Sequence, residues 1–396
     1  MSHFTIRFPR LFSILSWFLV AVLLCSYWPS SVQAAEVPLE ADTAILMEAS
    51  TGKILYEKNC HQVMAPASVT KLMTLVVAFE ALEAGRGELS DRVAASENAC
   101  RLGGSQIYLE PGEEMTLEEL LIAIAVGSAN DACVAVAEHL FGTHEIFVEA
   151  MNQKAQELGL KNTHFINSYG LPAEGHYSSA YDMAIIGRYA LRFPQLRQMT
   201  AIKEYDLRGG KFHLYNTNKL LWWYRGVDGF KTGWTNEARY CLATTGERDG
   251  LRLIAVVFGA PQRHGNFRDC MKLFNYGFAQ YAYKTVAEAG QICGVVKVGK
   301  GTVDSVEVVV AQPAGALVLR GQDKGITTRI ELPASVSAPV VQGQKLGDLV
   351  VCQGVTELAR FDLVAKQEIP RGTLWQQMGE VFEEIVQLEQ SPLKIK

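Results

Sequence analysis

The chain has 396 residues, of which 48% are hydrophobic and 20% are charged, and its formal net charge at pH 7 is −5. Proteins that bind nucleic acid are usually basic on one face, so this balance argues against a nucleic-acid partner. The length exceeds the usual size of one compact core, which predicts two domains.

The first 34 residues have the pattern of a segment that is removed on export. Two arginines precede a nearly continuous apolar run at 11–24, and small residues end the segment at Ala34. We predict a signal peptide at 1–34 and an exported protein, located at the cell wall or the periplasmic face of the membrane. An uncleaved anchor and lipidation at Cys25 are the alternatives. Cleavage leaves 35 basic and 42 acidic residues, a formal charge of −7.

Seven cysteines remain after this segment, an odd number for an exported chain. They are spread without a Cys-x-x-Cys pair or a histidine-rich companion, so we expect no metal site and no cofactor. Several lie beside apolar residues, as buried free thiols do. They are Cys60, Cys100, Cys133, Cys241, Cys270, Cys293 and Cys352.

The elements at the start of the mature chain are two strands and then helices. Strands are predicted at 43–48 and 53–57, on either side of a turn. A helix follows from Ser68 to about Leu82. The sequence Thr116-Leu117-Glu118-Glu119 is a capping box before an apolar helix that runs to Val126.

Three further helices and then a second group of strands complete this region. The helices are predicted at 132–140, 146–158 and 179–192. Strands follow at 240–245 and 251–259, and a last helix at about 269–283. Because helices lie between two groups of strands, residues 35–285 are predicted to form an α/β (α+β) domain with an antiparallel sheet flanked by helices.

The chain after residue 285 has a different composition and hydrophobic pattern. Short β-branched runs separated by Gly, Pro and Gln predict a small all-β domain at 286–370. Residues 371–396 have the spacing of an amphipathic helix, but its polar face carries four glutamates, whereas interfacial membrane helices usually carry lysine and arginine there. This helix is predicted either to pack on the rest of the protein or to make peripheral contact with a membrane.

Three short polar motifs carry the chemistry, and the first contains Ser68 and Lys71. Their spacing puts both side chains on one helix face, with Cβ atoms roughly 5–6 Å apart. The helix N-terminus favours a serine alkoxide and lowers the pKa of a nearby lysine. A neutral amine beside a serine is a competent general base. Alone, this spacing usually marks a surface serine and lysine, but apolar or small residues flank this pair.

The second motif, Ser128-Ala129-Asn130, lies between two apolar helices. Its polar side chains either face a cleft or cap a helix. In a cleft, Ser128 would relay a proton to the leaving group, and Asn130 would hydrogen-bond the substrate amide and Lys71.

The third motif, Lys231-Thr232-Gly233, is predicted to begin an extended segment. A lysine and a hydroxyl can hold a carboxylate, and Gly233 lets a substrate backbone approach closely. The substrate would then lie as an added strand. Backbone N–H groups of Ser68 and Trp234 would form an oxyanion hole.

All three motifs in this order are typical of a serine acyl-enzyme that works without histidine. The chain resembles the low-molecular-mass penicillin-binding proteins that are serine-type D-alanyl-D-alanine carboxypeptidases. The resemblance covers nearly all of the mature chain. Beyond the three motifs it rests on Ala65-Pro66-Ala67-Ser68, Gly103-Gly104-Ser105 with Pro111-Gly112-Glu113, Met151-Asn152 and Val227-Asp228-Gly229-Phe230.

The resemblance implies the serine β-lactamase/penicillin-binding-protein-like transpeptidase fold and hydrolysis of the terminal D-Ala-D-Ala bond of peptidoglycan pentapeptide stems. It implies that Ser68 is acylated with Lys71 as proton acceptor, that Ser128 is an active-site hydroxyl, and that Lys231 contacts the substrate carboxylate. β-Lactam antibiotics are then expected to inhibit the protein, and Cys133 matches a thiol that such enzymes can carry.

One position departs from the family pattern. Such enzymes often carry an arginine at the start of the helix after the last hairpin, where it helps to bind the terminal carboxylate. Asn266 occupies that place, and Arg263 or Arg268 is a candidate to substitute.

Two other functions are alternatives to a carboxypeptidase. A β-lactamase of the same superfold needs a carboxylate that activates water, but no Glu-x-x-x-Asn pattern lies between the second and third motifs, since Glu149 and Asn152 are three apart. A non-catalytic penicillin or muropeptide sensor would normally be joined to a transmembrane signalling segment.

Overall fold

The computed structural model describes residues 37–373, so the predicted signal peptide and all but the first residues of the predicted tail helix lie outside the described part. The chain divides into two compact units, Met1–Pro38 and Leu39–Lys396, and the fold described below belongs to the second. Between residues 37 and 373, no helix is long and apolar enough to span a bilayer.

The strands are β1 Thr43–Glu48, β2 Ile54–Lys58, β3 Arg92–Ala94, β4 Glu114–Thr116, β5 Glu204–Leu207, β6 Phe212–Tyr215, β7 Val227–Thr235, β8 Arg239–Arg248, β9 Leu251–Ala260, β10 Tyr281–Ala287, β11 Ile292–Gly299, β12 Ser305–Val310, β13 Ala314–Leu319, β14 Ile326–Glu331, β15 Ser335–Ser337, β16 Lys345–Gln353 and β17 Thr356–Ala365. The α-helices are α1 Lys71–Glu83, α2 Glu97–Cys100, α3 Leu117–Ile122, α4 Asn130–Phe141, α5 His144–Glu157, α6 Ala180–Ala190, α7 Pro194–Ala201, α8 Leu220–Trp223 and α9 Gly265–Gln280.

The predicted antiparallel sheet is confirmed, with five strands in the order β2-β1-β9-β8-β7. Every residue of β1 is buried, because helices cover both faces of the sheet. Alternate side chains of a strand point to opposite faces. Ile45 and Met47 accordingly join the core that contains α1 and α6, whereas Ala44 and Leu46 join the core that contains α9.

The helices between the two strand groups follow the predicted pattern. The capping box before α3 is present, because the Thr116 hydroxyl accepts from the backbone N–H of Glu119 and the Glu119 carboxylate accepts from the backbone N–H of Thr116. Helix α6 begins after Ser179, whose hydroxyl caps it by accepting from the Asp182 N–H. These caps fix where the helices start.

Two elements differ from the sequence prediction. The last helix of this region begins at Gly265, four residues before the predicted start, and ends at Gln280. Tyr281–Ala287 continues as β10, because its aromatic and β-branched residues suit a strand and pair with β13. Helix α7 was not predicted. Pro194 occupies its first turn, where no backbone N–H is needed.

The predicted all-β part is confirmed from β11 onward. Six strands form a sheet in the order β14-β16-β17-β12-β11-β15, and β10 pairs separately with β13. Valines from β11, β12 and β16 build a hydrophobic cluster distinct from the two that flank the first sheet. Arg371 bridges to Gly301, and the Gly372 N–H donates to the Lys300 carbonyl, so this part continues past Pro370.

Candidate active site

The first motif lies where a 3-10 turn, Ala67–Thr70, leads directly into α1. Helix α1 is buried along almost its whole length, which is typical of a helix that is apolar all round. Lys71 is its first residue and is completely buried. Because core packing holds this helix in place, the orientation of Lys71 toward Ser68 is fixed.

Lys71 Nζ donates hydrogen bonds to Ser68 Oγ at 2.8 Å, to Asn130 Oδ1 at 2.7 Å and to the Tyr169 carbonyl at 2.5 Å. None of these three acceptors is charged. Burial lowers the pKa of Lys71 to about 8, although the negative charge of Asp131 acts in the opposite direction. The amine is therefore able to lose its proton near neutral pH and accept the proton of Ser68.

The second motif lies between a π-helical turn at Ala123–Gly127 and α4. Ser128 adopts the left-handed conformation with φ of 62° and lines the cleft described below. Asn130 is the first residue of α4, and its Nδ2 donates to the Gly103 carbonyl at 2.6 Å. The helix-capping alternative is wrong, because the N-cap residue is Ala129 and makes no side-chain cap bond.

Asp131 was not predicted, yet it fixes the loop that faces the second motif. Its buried carboxylate accepts backbone hydrogen bonds from Ile107 and Leu109, at 3.1 to 3.2 Å. The Asn130 N–H donates to the Ser105 carbonyl at 2.8 Å. These bonds hold Ser105 at the wall of the cleft.

The third motif lies in the middle of β7, not at the start of an extended segment as predicted, because β7 already begins at Val227. β7 ends the strand order of its sheet, so one of its edges is not paired with another strand of that sheet. Lys231 Nζ lies 3.4 Å from Thr217 Oγ1, and Thr232 Oγ1 lies 2.7 Å from the same hydroxyl. Burial and the charge of Lys71 lower the pKa of Lys231.

Gly233 is required for a reason that the sequence did not reveal. A Cβ at this position would lie 2.8 Å from the Pro66 carbonyl oxygen and 3.0 Å from the Val69 nitrogen. The strand therefore packs directly against the backbone at Pro66 and Val69, on either side of Ser68. This close approach brings β7 beside Ser68.

A cleft of about 270 Å³ joins the three motifs. It is lined by Ser68, Ser105, Ser128, Thr217, Thr232, Gly233, Trp234, Tyr240, Arg263, His264, Asn266 and Phe267. No Asp or Glu is among these lining residues. A larger groove of about 500 Å³, which includes Tyr189 and Phe361, contains none of the motifs.

Besides Asp131, sequence reasoning missed two groups that contact the side chains of the motifs. The Tyr169 carbonyl, an acceptor for Lys71, has no side-chain signal, because any residue carries a carbonyl. Thr217 had a weak signal, since the polar run Asn216–Asn218 precedes the apolar helix α8.

The structure separates the two arginines near Asn266. Arg263 is exposed and lines the cleft. Arg268 pairs with Glu40 at 3.2 Å and also lies near Gln262. Only Arg263 of the two is positioned to meet a substrate carboxylate.

Glu149 and Asn152, the residues considered for a site that activates water, are not among the residues that line the cleft. Glu149 is exposed on α5. Asn152 makes paired hydrogen bonds with the backbone of Phe165, at 2.8 Å in both directions. Cys133 is buried with Sγ 3.2 Å from the Ala129 carbonyl, and all seven described cysteines are free thiols.

His176 contacts the 3-10 turn Ala67–Thr70 that contains Ser68. Its Nδ1 accepts from the Ile166 N–H at 3.0 Å, so Nε2 carries the ring proton and donates to Thr70 Oγ1 at 2.9 Å. Burial is the main cause that lowers the pKa of His176 to about 4. The histidine is therefore neutral in the folded protein at pH 7.

We expect acid to destabilise the protein through His176. The pKa of His176 in the folded state lies below the unfolded value of about 6.5. Its contribution to the free energy of unfolding is therefore complete above pH 6.5 and is lost as pH falls toward 4. One pKa unit corresponds to about 1.4 kcal/mol, so the loss approaches about 3 kcal/mol. Urea unfolding at several pH values measures it. His176→Gln should reduce the loss of unfolding free energy between pH 6.5 and 4, whereas His213→Gln, which changes an exposed histidine, should not. Equal pH dependence in wild type and His176→Gln would contradict the assignment.

Two family models match the chain. A model described as D-alanyl-D-alanine carboxypeptidase matches residues 30–262, and one described as penicillin-binding protein 5, C-terminal domain, matches residues 281–371. The D-alanyl-D-alanine carboxypeptidase DacF of Bacillus subtilis is 42% identical over 368 residues, which covers 90% of this chain and 95% of DacF.

Two solved structures that resemble this chain are also penicillin-binding proteins. Penicillin-binding protein 5 from Haemophilus influenzae is 33% identical, with a TM-score of 0.67 over 84% of this chain and 98% of that chain. Penicillin-binding protein D2 from Listeria monocytogenes, solved in an ampicillin-bound form, is 30% identical, with a TM-score of 0.57 over 61% of this chain and 99% of that chain. The predicted penicillin-binding-protein-like fold is confirmed.

Proposed function

Because this chain belongs to the D-alanyl-D-alanine carboxypeptidase family, we propose that its cleft hydrolyses the terminal D-Ala-D-Ala bond of peptidoglycan pentapeptide stems and thereby limits cell-wall cross-linking. The observation that carries the proposal is the contact of a buried Lys71 Nζ with Ser68 Oγ at 2.8 Å. Incubation with a D-Ala-D-Ala peptide, followed by measurement of released D-alanine, tests it.

In the proposed acylation step, Ser68 Oγ attacks the carbonyl of the penultimate D-alanine and passes its proton to Lys71 Nζ. The pKa of about 8 leaves part of Lys71 unprotonated at neutral pH. Backbone N–H groups of Ser68 and Trp234 would stabilise the oxyanion. Ser128 would relay a proton to the amine of the departing D-alanine, and water would then release the acyl group from Ser68.

Substrate recognition is proposed along the free edge of β7. Backbone groups of an unpaired edge can bind an extended peptide as an added strand. Lys231, Thr232 and the neighbouring Thr217 would hold the terminal carboxylate, because Thr217 and Thr232 line the cleft and the buried Lys231 Nζ lies 3.4 Å from the Thr217 hydroxyl. Asn130 would contact the substrate amide, and Gly233 would let β7 lie close enough to Ser68 for an added strand to reach it.

β-Lactam antibiotics are proposed inhibitors that acylate Ser68. The similar Listeria protein was solved in an ampicillin-bound form. A β-lactamase is not favoured, because no Asp or Glu lines the described cleft and Asn152 is committed to the Phe165 backbone. Turnover of a chromogenic cephalosporin, compared with turnover of the peptide, separates the two activities.

The domain division and location are also proposals. A catalytic domain at 35–285 and a β-rich domain at 286–370 are supported by the separate hydrophobic clusters of these two parts. Export through the signal peptide at 1–34 would bring the enzyme to its peptidoglycan substrate. The proposed tail helix at 371–396 would supply peripheral membrane contact.

We expect Arg263→Ala to reduce kcat/KM for D-Ala-D-Ala peptides by about 3- to 10-fold, since a partly exposed charge at the cleft contributes modestly to binding. Arg268→Ala should be near neutral because this side chain pairs with Glu40. Steady-state kinetics of both variants measures the difference. Equal and small effects would mean that neither arginine binds the carboxylate.

A chain that ends at Thr373 should keep full activity on a soluble peptide, because the motifs end by Gly233 and the last described pairings involve Arg371 and Gly372. If the tail docks on membrane, the mature chain should co-sediment with lipid vesicles and the shortened chain should not. The glutamates predict little preference for anionic lipid. Strong binding that rises with anionic lipid would contradict this, and loss of peptide turnover would show that the tail supports the catalytic fold.

A further inference from the structure

One of the residues that line the cleft is an asparagine whose side-chain nitrogen is hydrogen-bonded and whose side-chain oxygen is not. Asn266, in the first turn of α9, is 3% exposed and lines the cleft. Its Nδ2 donates to the Cys241 carbonyl at 3.0 Å, and Cys241 is the residue of β8 that pairs with Gly233. The side chain therefore lies next to the third motif.

Within residues 37–373, Asn266 Oδ1 has no hydrogen-bond partner although it is buried. The reverse orientation of the amide would face Oδ1 against the Cys241 carbonyl and leave two acceptors in contact, so the hydrogen-bond network fixes Oδ1 as the free atom. A buried polar atom without a partner destabilises its surroundings unless a ligand pairs with it. The atom that is free here is an acceptor, and it would pair with an O–H or N–H donor.

The wall beside Asn266 is aromatic. The His264 ring lies 5.4 Å from the Trp223 ring and 5.8 Å from the Phe267 ring, measured between centroids. His264 and Phe267 both line the cleft. His264 Nδ1 is a second buried polar atom without a partner in the described chain. This part of the cleft therefore combines aromatic rings with two buried polar atoms that have no partner within the described residues.

We propose that Asn266 determines specificity for the leaving D-residue, by accepting a hydrogen bond from an O–H or N–H donor on its side chain. The inference rests on the proposed function, in which Lys231 and Thr232 hold the carboxylate of that residue. D-Alanine presents only a methyl group and leaves Oδ1 unpaired. A D-residue with a hydroxyl or amide side chain of suitable length pairs with it.

The test compares leaving residues of matched shape. Peptides ending in D-Ala-D-Ser and in D-Ala-D-2-aminobutyrate differ by a hydroxyl in place of a methyl, and D-Ala-D-Asn against D-Ala-D-Leu makes the same comparison for an amide. We expect wild type to favour at least one donor-bearing peptide about tenfold in kcat/KM over its apolar match. In Asn266→Leu, which has a similar volume and no polar atom, the ratio should fall to about one.

His264→Phe is the matched control, because it keeps an aromatic ring at this position and removes both ring nitrogens. It should retain most of the preference if Asn266 accepts the bond. Wild-type ratios near one for both peptide pairs would overturn the proposal without need of any variant, and so would a preference that survives in Asn266→Leu. Failure of wild type to release D-alanine from D-Ala-D-Ala would overturn the proposed function together with this inference.

Discussion

Incubation with penicillin is expected to add one penicilloyl group per chain, attached to Ser68, and Ser68→Ala should abolish both the adduct and peptide hydrolysis. The reason is geometric, since Ser68 Oγ lies in the cleft and contacts the buried amine of Lys71. Alanine removes the only atom that can form the acyl bond at this position. Mass spectrometry of the intact protein and of its peptides measures the adduct and its site.

Ser105→Ala is the matched control for this experiment. Ser105 lines the same cleft but has no described contact with Lys71, and its carbonyl, which a side-chain substitution retains, holds the Asn130 N–H. We expect this variant to form the adduct on Ser68. An adduct on any other residue, or none at all in wild type, would refute the acyl-enzyme mechanism.

Replacement of Lys71 by alanine should reduce acylation by about 10²–10⁴-fold, the usual effect of losing a general base. Because the free amine is the proposed base, the wild-type acylation rate is expected to rise with pH through the Lys71 pKa of about 8. The same rise should be absent in Lys71→Ala. Stopped-flow acylation by a chromogenic β-lactam, measured from pH 6 to 9.5, follows both effects.

Lys71→Arg separates base chemistry from charge. Arginine keeps the positive charge near Ser68 but stays protonated at all accessible pH values. We expect this variant to acylate as slowly as Lys71→Ala. Activity close to wild type in Lys71→Arg would show that a cation suffices and that another group takes the proton. Circular dichroism establishes that each variant is folded, since a buried position is changed.

The Asn266 proposal connects recognition with mechanism. In the proposed mechanism, Lys231 and Thr232 would bind the carboxylate that every terminal D-residue shares, whereas Asn266 would distinguish one side chain from another. The two contacts are separable because Lys231 faces Thr217, and Asn266 is held by Cys241 on β8. Substitution of Asn266 is therefore expected to change the ratio between substrates more than the binding of the carboxylate.

Much of the fold followed from the sequence alone, because its signals are local. Strand β1 was predicted with the same bounds, and the capping box at Thr116 marked the start of α3. The alternation of strand and helix patterns also gave the antiparallel sheet. Element ends were less predictable where the residues suit two states, as at Tyr281, where an aromatic residue ends α9 and begins β10.

By itself, the sequence predicted which residue types carry the chemistry, because Ser68 and Lys71, three apart at the start of a helix, were expected to share a face. Only the tertiary structure decided what surrounds them. The Tyr169 carbonyl accepts a hydrogen bond from Lys71, 98 residues away, and Thr217 contacts both Lys231 and Thr232. Asn266 Oδ1 has no hydrogen-bond partner within residues 37–373. Spacing along the chain governs neighbours within a few residues. Contacts between distant segments, burial and the resulting pKa values depend on how the whole core packs, and short motifs contain no information about that packing.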